Sequence, residues 1–200
     1  NITFHPFTVP VAVDHGANLT ILESGETMQI YPLEPNLVCP STTPPGGISG
    51  SLVYGKGGTL EEIAGKPLDG SIVILDWYSG NRWLEMADLG AKAVIFIPPV
   101  KVTPSINYIF RGQMEKVIDV PFNFPRFYIP EPQASRLLSL IEESRGVHVN
   151  LRANTRWEQV KSYNLMGLVK GSKYPEKTIM ISSYYDSGSL APSYAPGAQE

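Results

Sequence analysis

The sequence contains a single cysteine, Cys39, among its 200 residues. No disulfide can form within the chain, and a zinc site built on several cysteines is excluded. An unpaired thiol behaves as a small apolar side chain, so we expect Cys39 to be buried. The fold therefore has to be stabilised by an apolar core, for which 200 residues are sufficient.

Strong charge and long apolar runs are also missing. Charged residues make up 18% of the chain, the net charge is −3, and lysine and arginine are scattered singly along the sequence. This distribution argues against nucleic acid or an anionic membrane as a partner. No apolar run approaches the ~20 residues that span a bilayer, so we predict no membrane span.

The chain does not begin with methionine, carries no signal peptide and stops at Glu200. We expect it to be a piece of a longer protein whose targeting signal lies outside it. Two triplets, Asn1-Ile2-Thr3 and Asn18-Leu19-Thr20, match the N-glycosylation sequon. On this ground we expect a secreted or cell-envelope protein.

Glycine and proline are abundant, with 18 residues of each, and many short apolar runs lie between them. This pattern favours a loop-rich α+β fold over a helical bundle. In the middle of the chain, Thr59 is placed to cap a helix over 60–64. Strand 71–75, helix 82–89 and strand 93–97 follow, which predicts a right-handed crossover between parallel strands.

Further elements are predicted on both sides of this unit. The helix start favours proline, and Pro132 stands before an apolar helical face. The additional strands are predicted at 51–54, 127–129, 147–151, 163–169 and 178–182, with one or two short strands in residues 1–47.

The residues that could carry chemistry are few. His5, His15 and His148 are expected on the surface, and no serine lies in a nucleophile elbow. Glu85 and Asp88 share a helix face without a histidine nearby, which indicates a solvated acidic face.

Three aromatic residues, Trp77, Tyr78 and Trp83, are candidates for a surface that binds a sugar or a peptide. In the alternative interpretation Trp83 packs beneath its helix, and only Trp77 and Tyr78 are exposed at the carboxyl end of the preceding strand.

Residues 48–155 resemble a protease-associated (PA) domain. The resemblance rests on five segments, LVYG (52–55), IAGKPLDGSIVIL (63–75), MADLGAKAVI (86–95), PRFYIP (125–130) and VHVNL (147–151). It implies a β-sandwich or open barrel with flanking helices, preceded here by an N-terminal arm over 1–47.

Residues 160–200 resemble the opening of the co-catalytic zinc aminopeptidase family. The segments are YNLMGLVKG (163–171), ISSYYDS (181–187) and GAQE (197–200). Bacterial aminopeptidases, glutamate carboxypeptidase II and the transferrin receptor combine this domain with a PA domain. The resemblance implies C-terminal strands from an adjoining α/β peptidase-like domain.

The sequence departs from that family at two metal-binding positions. Tyr184 stands where the family has a histidine ligand, and Glu200 stands where it has the aspartate that bridges two zinc ions. Asp186 matches a residue that orients the missing imidazole. A neutral phenol is a poor replacement for imidazole, so the resemblance implies a degenerate metal site.

The function that follows is a non-catalytic PA-type module for protein interaction or substrate access, with peptide or protein partners. The chain itself is expected to hold no cofactor, and the longer parent is where zinc could bind. Two alternatives stay open: a fragment of an active zinc aminopeptidase in which Glu200 binds metal, and a carbohydrate-binding or adhesion module. Residues 160–200 are expected to pair with the edge of the PA-like domain, to pair with a neighbouring molecule, or to be poorly ordered.

Overall fold

The computed structural model describes residues 2–99, 116–143 and 146–183. Within these ranges eight strands and three α-helices are present. The strands are β1 (Ile2–Ile21), β2 (Thr27–Gln29), β3 (Tyr31–Pro32), β4 (Ile48–Tyr54), β5 (Ile72–Asp76), β6 (Ala93–Ile97), β7 (Arg126–Tyr128) and β8 (His148–Gly167). The helices are α1 (Leu60–Ile63), α2 (Trp83–Asp88) and α3 (Gln133–Glu143).

The described strands form one mixed sheet in the order β2-β1-β8-β4-β5-β6-β7-β3. Strands β4 to β7 are parallel neighbours, and the remaining pairs are antiparallel. The two ends of this order, β2 and β3, are separated in the chain only by Ile30, whose amide donates to the carbonyl of Ala17 at 3.2 Å. The sheet therefore curves back on itself. The α+β class is confirmed, and so is the parallel pairing of β5 and β6 around α2.

The core lies on both faces of the central strands. Ile72 and Ile74 of β5 belong to one apolar cluster, while Val73 and Leu75 belong to the other. All four side chains are fully buried. Parallel strands covered on both faces carry continuous apolar runs, and this explains why β5 and β6 were the clearest strands in the sequence.

Helix α1 begins at the predicted residue. The hydroxyl of Thr59 accepts from the amide of Glu62 at 3.3 Å, and the Glu62 carboxylate accepts from the amide of Thr59 at 3.1 Å. These reciprocal bonds form a capping box, a signal contained in four consecutive residues.

Strands β1 and β8 are much longer than the sequence indicated. They pair antiparallel from Ile2 opposite Gly167 to Ile21 opposite Val149, with one irregularity between Asp14 and Ala17. The first 47 residues contain three strands, where one or two short ones were expected. The predicted strand at 163–169 is present as far as Gly167, as the end of β8. Residues 155–160, for which no strand was predicted, also lie within β8.

Two local expectations were wrong. Residues 178–182 form no strand and are exposed, because no strand edge among the described residues pairs with them. Cys39 is half-buried rather than buried. It lies in a tight turn in which its amide and carbonyl bond to those of Asn36, and this turn keeps it near the surface.

Candidate functional site

The predicted zinc positions fall outside the part of the chain that the structure describes. This applies to Tyr184, Asp186 and Glu200. Among the described residues, no group of three or more histidine, cysteine, aspartate and glutamate side chains could hold a metal ion. The described residues therefore do not fit a metal centre.

Within the same residues, every helix is too short or too polar to cross a lipid bilayer.

The aromatic surface predicted from Trp77, Tyr78 and Trp83 is not formed. Trp77 and Trp83 are fully buried, and only Tyr78 is exposed, at 73%. A single 3-10 turn over Trp77–Ser79 follows β5 directly and directs Trp77 back over the sheet. There its ring makes edge contacts with Phe96 and Tyr128, each at 5.8 Å between ring centres. Trp83 packs beneath α2, as the alternative interpretation stated.

Two buried cations cover these aromatic rings, and the sequence did not reveal them. Arg126 is fully buried, with its Cζ atom 4.9 Å from the ring centre of Trp83. Its guanidinium donates to the carbonyls of Lys116 and Glu34, the latter at 2.7 Å. Burial lowers the pKa of Arg126 to about 10, so the side chain remains charged at neutral pH.

The second cation is Lys116, which is 1% exposed. Its ammonium group donates to the carbonyl of Gly80 at 2.8 Å and lies 5.0 Å from the ring centre of Phe96. Cations over aromatic faces are stabilised by the ring quadrupole. Arg126 and Lys116 therefore fasten the segment before β7 to the aromatic cluster, which is a structural role.

A polar cluster lies where β4 and β5 end, the edge at which open parallel sheets often bind ligands. The Tyr54 hydroxyl donates to the Asp76 carboxylate at 2.7 Å, and the Lys66 ammonium donates to the carbonyl of Tyr54. Burial, and then the bond to Asp76, raise the pKa of the Tyr54 phenol. These side chains are bonded to one another, so the cluster holds the strand ends together.

Beyond the body of the molecule, β1 and β8 continue as a two-stranded ribbon, which we define as residues 2–14 and 155–167. Apolar side chains lie on both of its faces. Phe4 is opposite Leu165 on one face and Val9 is opposite Val160 on the other. Phe4, Leu165 and Val160 are exposed at 64%, 48% and 39%. An isolated two-stranded ribbon is marginally stable in water, and its exposed apolar side chains make it a candidate surface for contact with another molecule or domain.

The base of the ribbon has one polar contact with the body and a group of polar contacts between β1 and β8. The Trp157 indole donates to the carbonyl of Val38 at 2.9 Å. Glu158 accepts from Arg156 at 2.9 Å and lies 2.6 Å from the Nε2 atom of His15. The bond from Arg156, followed by that from His15, lowers the pKa of the Glu158 carboxyl.

The other two histidines lie on the surface, as predicted. His5 is exposed on the ribbon. His148 is also exposed, and its Nδ1 atom lies 3.0 Å from the Glu23 carboxylate. The bond from the His148 amide is the main reason why the pKa of Glu23 is lowered.

The described fold is thus a mixed α+β sheet from which an apolar ribbon extends. No family model and no curated protein matches the chain. Among solved structures, the chain is similar to a peptidase M28 precursor from Shewanella amazonensis SB2B, with 18% identity and a TM-score of 0.57. That match covers 94% of this chain and 45% of the other.

A zinc aminopeptidase from Bacillus subtilis is also similar, with 16% identity and a TM-score of 0.53. That match covers 82% of this chain and 36% of the other, so the chain spans less than half the length of either protein. At these identities the likeness concerns the fold alone. The chain has a fold that occurs in peptidase-related proteins.

Proposed function

We propose that this chain is a non-catalytic PA-type interaction module of a secreted protein related to zinc aminopeptidases. Its ribbon is the surface through which it docks onto the rest of that protein. The main observation in support of docking is that the ribbon exposes apolar side chains on both faces. The fold of the two similar structures, each more than twice as long as the part matched, supports the relationship to peptidases in this proposal.

The chain itself holds no zinc in this proposal, and the metal site of the parent is degenerate because Tyr184 and Glu200 replace two of its ligands. The sequence carries this part of the proposal, because a phenol is a weak zinc ligand and the longer glutamate side chain displaces a bridge between ions ~3.5–4 Å apart. The module then contributes partner or substrate contacts rather than hydrolysis.

Hydrogen exchange tests the docking role. We expect ribbon amides in this chain to exchange faster than the β8 amides of 149–151, which lie inside the curved sheet. In a longer protein that includes residues beyond Glu200, the ribbon amides should become protected. The double substitution Phe4→Ser and Leu165→Ser should remove that added protection. Equally fast ribbon exchange in both proteins would contradict docking.

Metal analysis of the longer protein tests the degenerate site separately. We expect less than two zinc ions per chain and no turnover of aminoacyl substrates. Two bound ions together with hydrolysis would establish the enzyme alternative, whatever the exchange experiment shows about the ribbon.

A further inference from the structure

A second surface lies on the outer face of the curved sheet, away from the ribbon. The side chains of Asn18 and Arg152 are directly opposite each other across β1 and β8. Their chain neighbours Leu19 and Leu151 are fully buried in the core. Because side chains alternate along a strand, Asn18 and Arg152 project to the outer face.

Two adjoining cavities meet at this pair. One has a volume of about 560 Å³ and is lined by short polar side chains that include Thr20, Thr27 and Ser49. The other has a volume of about 380 Å³ and is bounded by the loop that carries Thr43, Pro44 and Pro45. Asn18 and Arg152 line both, and none of the described lining residues is acidic. We call the two cavities together the polar cleft.

The side-chain amide of Asn150 holds Arg152 in place and is itself fixed by two further hydrogen bonds. Its Nε atom donates to the side-chain oxygen of Asn150 at 3.1 Å. The Nδ2 atom of Asn150 donates to the Ser49 hydroxyl at 2.8 Å and to the Gly46 carbonyl at 3.2 Å. Among the described residues, no hydrogen bond engages the Nη atoms of Arg152 or the side-chain amide of Asn18. These two groups are therefore available to a ligand in the chain that carries no glycan at Asn18, the acceptor position of the second sequon.

The loop beside the cleft is fitted closely to β8. Thr43 accepts from the amide of Ala153 at 3.0 Å through its hydroxyl, and its own amide donates back to the Ala153 carbonyl at 3.1 Å. Gly47 has a φ of +80°, and a Cβ atom there would lie 2.7 Å from the Asn150 side-chain oxygen and 2.8 Å from Cγ of Arg152. Only glycine permits this approach, so the loop packs directly against Asn150 and Arg152.

We propose that the polar cleft binds a sugar acid, the uronic acid unit of a carbohydrate. The planar guanidinium of Arg152 offers two Nη groups to a carboxylate, a pairing that is commonly bidentate. The side-chain amide of Asn18 can bond to ring hydroxyls of such a unit. The hydroxyls of Thr20 and Thr27, which bond to each other at 3.1 Å, and that of Ser49 each keep a further donor or acceptor site. The absence of acidic side chains among the described lining residues leaves the anion unopposed. This inference does not depend on the ribbon or on the peptidase relationship.

The test is a titration of the ¹⁵N-labelled chain, followed through backbone amide shifts. The probes are D-glucuronate, D-glucose without the carboxylate, and acetate without the hydroxyls, each at millimolar concentrations and matched ionic strength. Glucuronate should give saturable shifts centred on Asn18, Asn150 and Arg152. Glucose and acetate should each bind at least about tenfold more weakly, since each loses one half of the contacts.

Variants locate the binding. Arg152→Gln should weaken glucuronate binding at least about tenfold, and Asn18→Ala should weaken it about two- to tenfold, as expected for a single neutral hydrogen bond. The matched control is Arg156→Gln, the same change of charge in the same strand outside both cavities. Unchanged amide spectra away from the cleft show that each variant is folded.

Four results would overturn the proposal. Acetate that binds as well as glucuronate shows that only a charge is sensed, and glucose that binds as well shows that the carboxylate is not recognised. Glucuronate shifts that do not saturate, or that persist in Arg152→Gln, place no site in the polar cleft.

Discussion

The guanidinium of Arg126 lies 4.9 Å from the ring centre of Trp83, and both side chains are fully buried. The two residues are more than 40 positions apart in sequence: Trp83 is the first residue of α2, and Arg126 is the first residue of β7. A buried cation is tolerated only where it is bonded, and here the backbone carbonyls of Lys116 and Glu34 provide the bonds.

This arrangement predicts a large stability effect at Arg126. Arg126→Met fills the space but leaves two carbonyls without their donor, so we expect the free energy of unfolding to fall by about 2–4 kcal/mol. Urea unfolding followed by tryptophan fluorescence measures it. Arg136→Met is the control, because Arg136 is half exposed in a 3.5 Å ion pair with Glu26 and should change stability by at most about 0.5 kcal/mol. An Arg126→Met variant whose free energy of unfolding is unchanged would show that the hydrogen bonds of Arg126 are not needed for stability.

The capping box at α1 predicts a smaller and local effect. Thr59→Ala removes the hydroxyl that accepts from the Glu62 amide, and we expect a loss of about 0.5–2 kcal/mol in unfolding free energy. The Thr59 amide is the main cause of the lowered pKa of Glu62 and stays in the variant, but the hydroxyl, which also donates to the Glu62 carboxylate at 2.9 Å, is lost, so that pKa should rise part of the way to its ordinary value. Carboxyl-carbon NMR titration measures the shift. Thr59→Ser keeps the hydroxyl and should leave both quantities nearly unchanged; a similar loss in Thr59→Ser would assign the effect to the methyl group.

The bond between Tyr54 and Asp76 predicts a dependence of stability on alkaline pH. The pKa of Tyr54 is raised in the folded chain, so folding favours the protonated phenol. Its contribution is complete below the unfolded pKa of about 10 and is lost as the pH rises above that value. Urea unfolding between neutral pH and alkaline pH should therefore show a shallower decline for Tyr54→Phe than for the natural chain. Tyr78→Phe, at an exposed tyrosine, should keep the natural slope, and equal slopes for all three proteins would refute the assignment.

Two leucines of β8, one in the core and one in the ribbon, allow the stability contributions of core and ribbon to be compared. Leu151 and Leu165 both lie in β8, and they are 0% and 48% exposed. Leu151→Ala should lower the free energy of unfolding by about 2–5 kcal/mol, because it leaves a cavity in the core. Leu165→Ala should change it by about 0.5 kcal/mol or less in this chain, because about half of the side chain is exposed and the change leaves no cavity in the core. Chemical denaturation compares the two, and a comparable loss at Leu165 would mean that the ribbon is packed against the body.

Local signals in the sequence were sufficient for several elements. Thr59 as a cap placed α1, and the apolar runs over 71–75 and 93–97 placed the two central strands. Each of these signals is complete within a few consecutive residues, or is carried by a run buried on both faces. The α+β class followed from the alternation of such segments.

Signals that depend on distant partners could not be seen. The length of β1 arises from its pairing with β8 about 150 residues later, and the exposed strand-like run over 178–182 has no partner among the described residues. Trp77 was expected at the surface because it follows a strand end, but the turn after β5 directs it into the core. The burial of Arg126 was missed for the same reason, since a charged residue is expected outside until its bonding partners are known.

The amino-acid sequence by itself determined where the short helices and the doubly buried strands lie, because caps and apolar runs act over neighbouring residues. Only the tertiary structure decided which side chains meet. It placed Asn18 opposite Arg152, enclosed Arg126 beneath Trp83 and left the ribbon exposed on both faces. The physical reason is that strand register and burial are set by residues far apart in the chain, whose pairing no local pattern encodes.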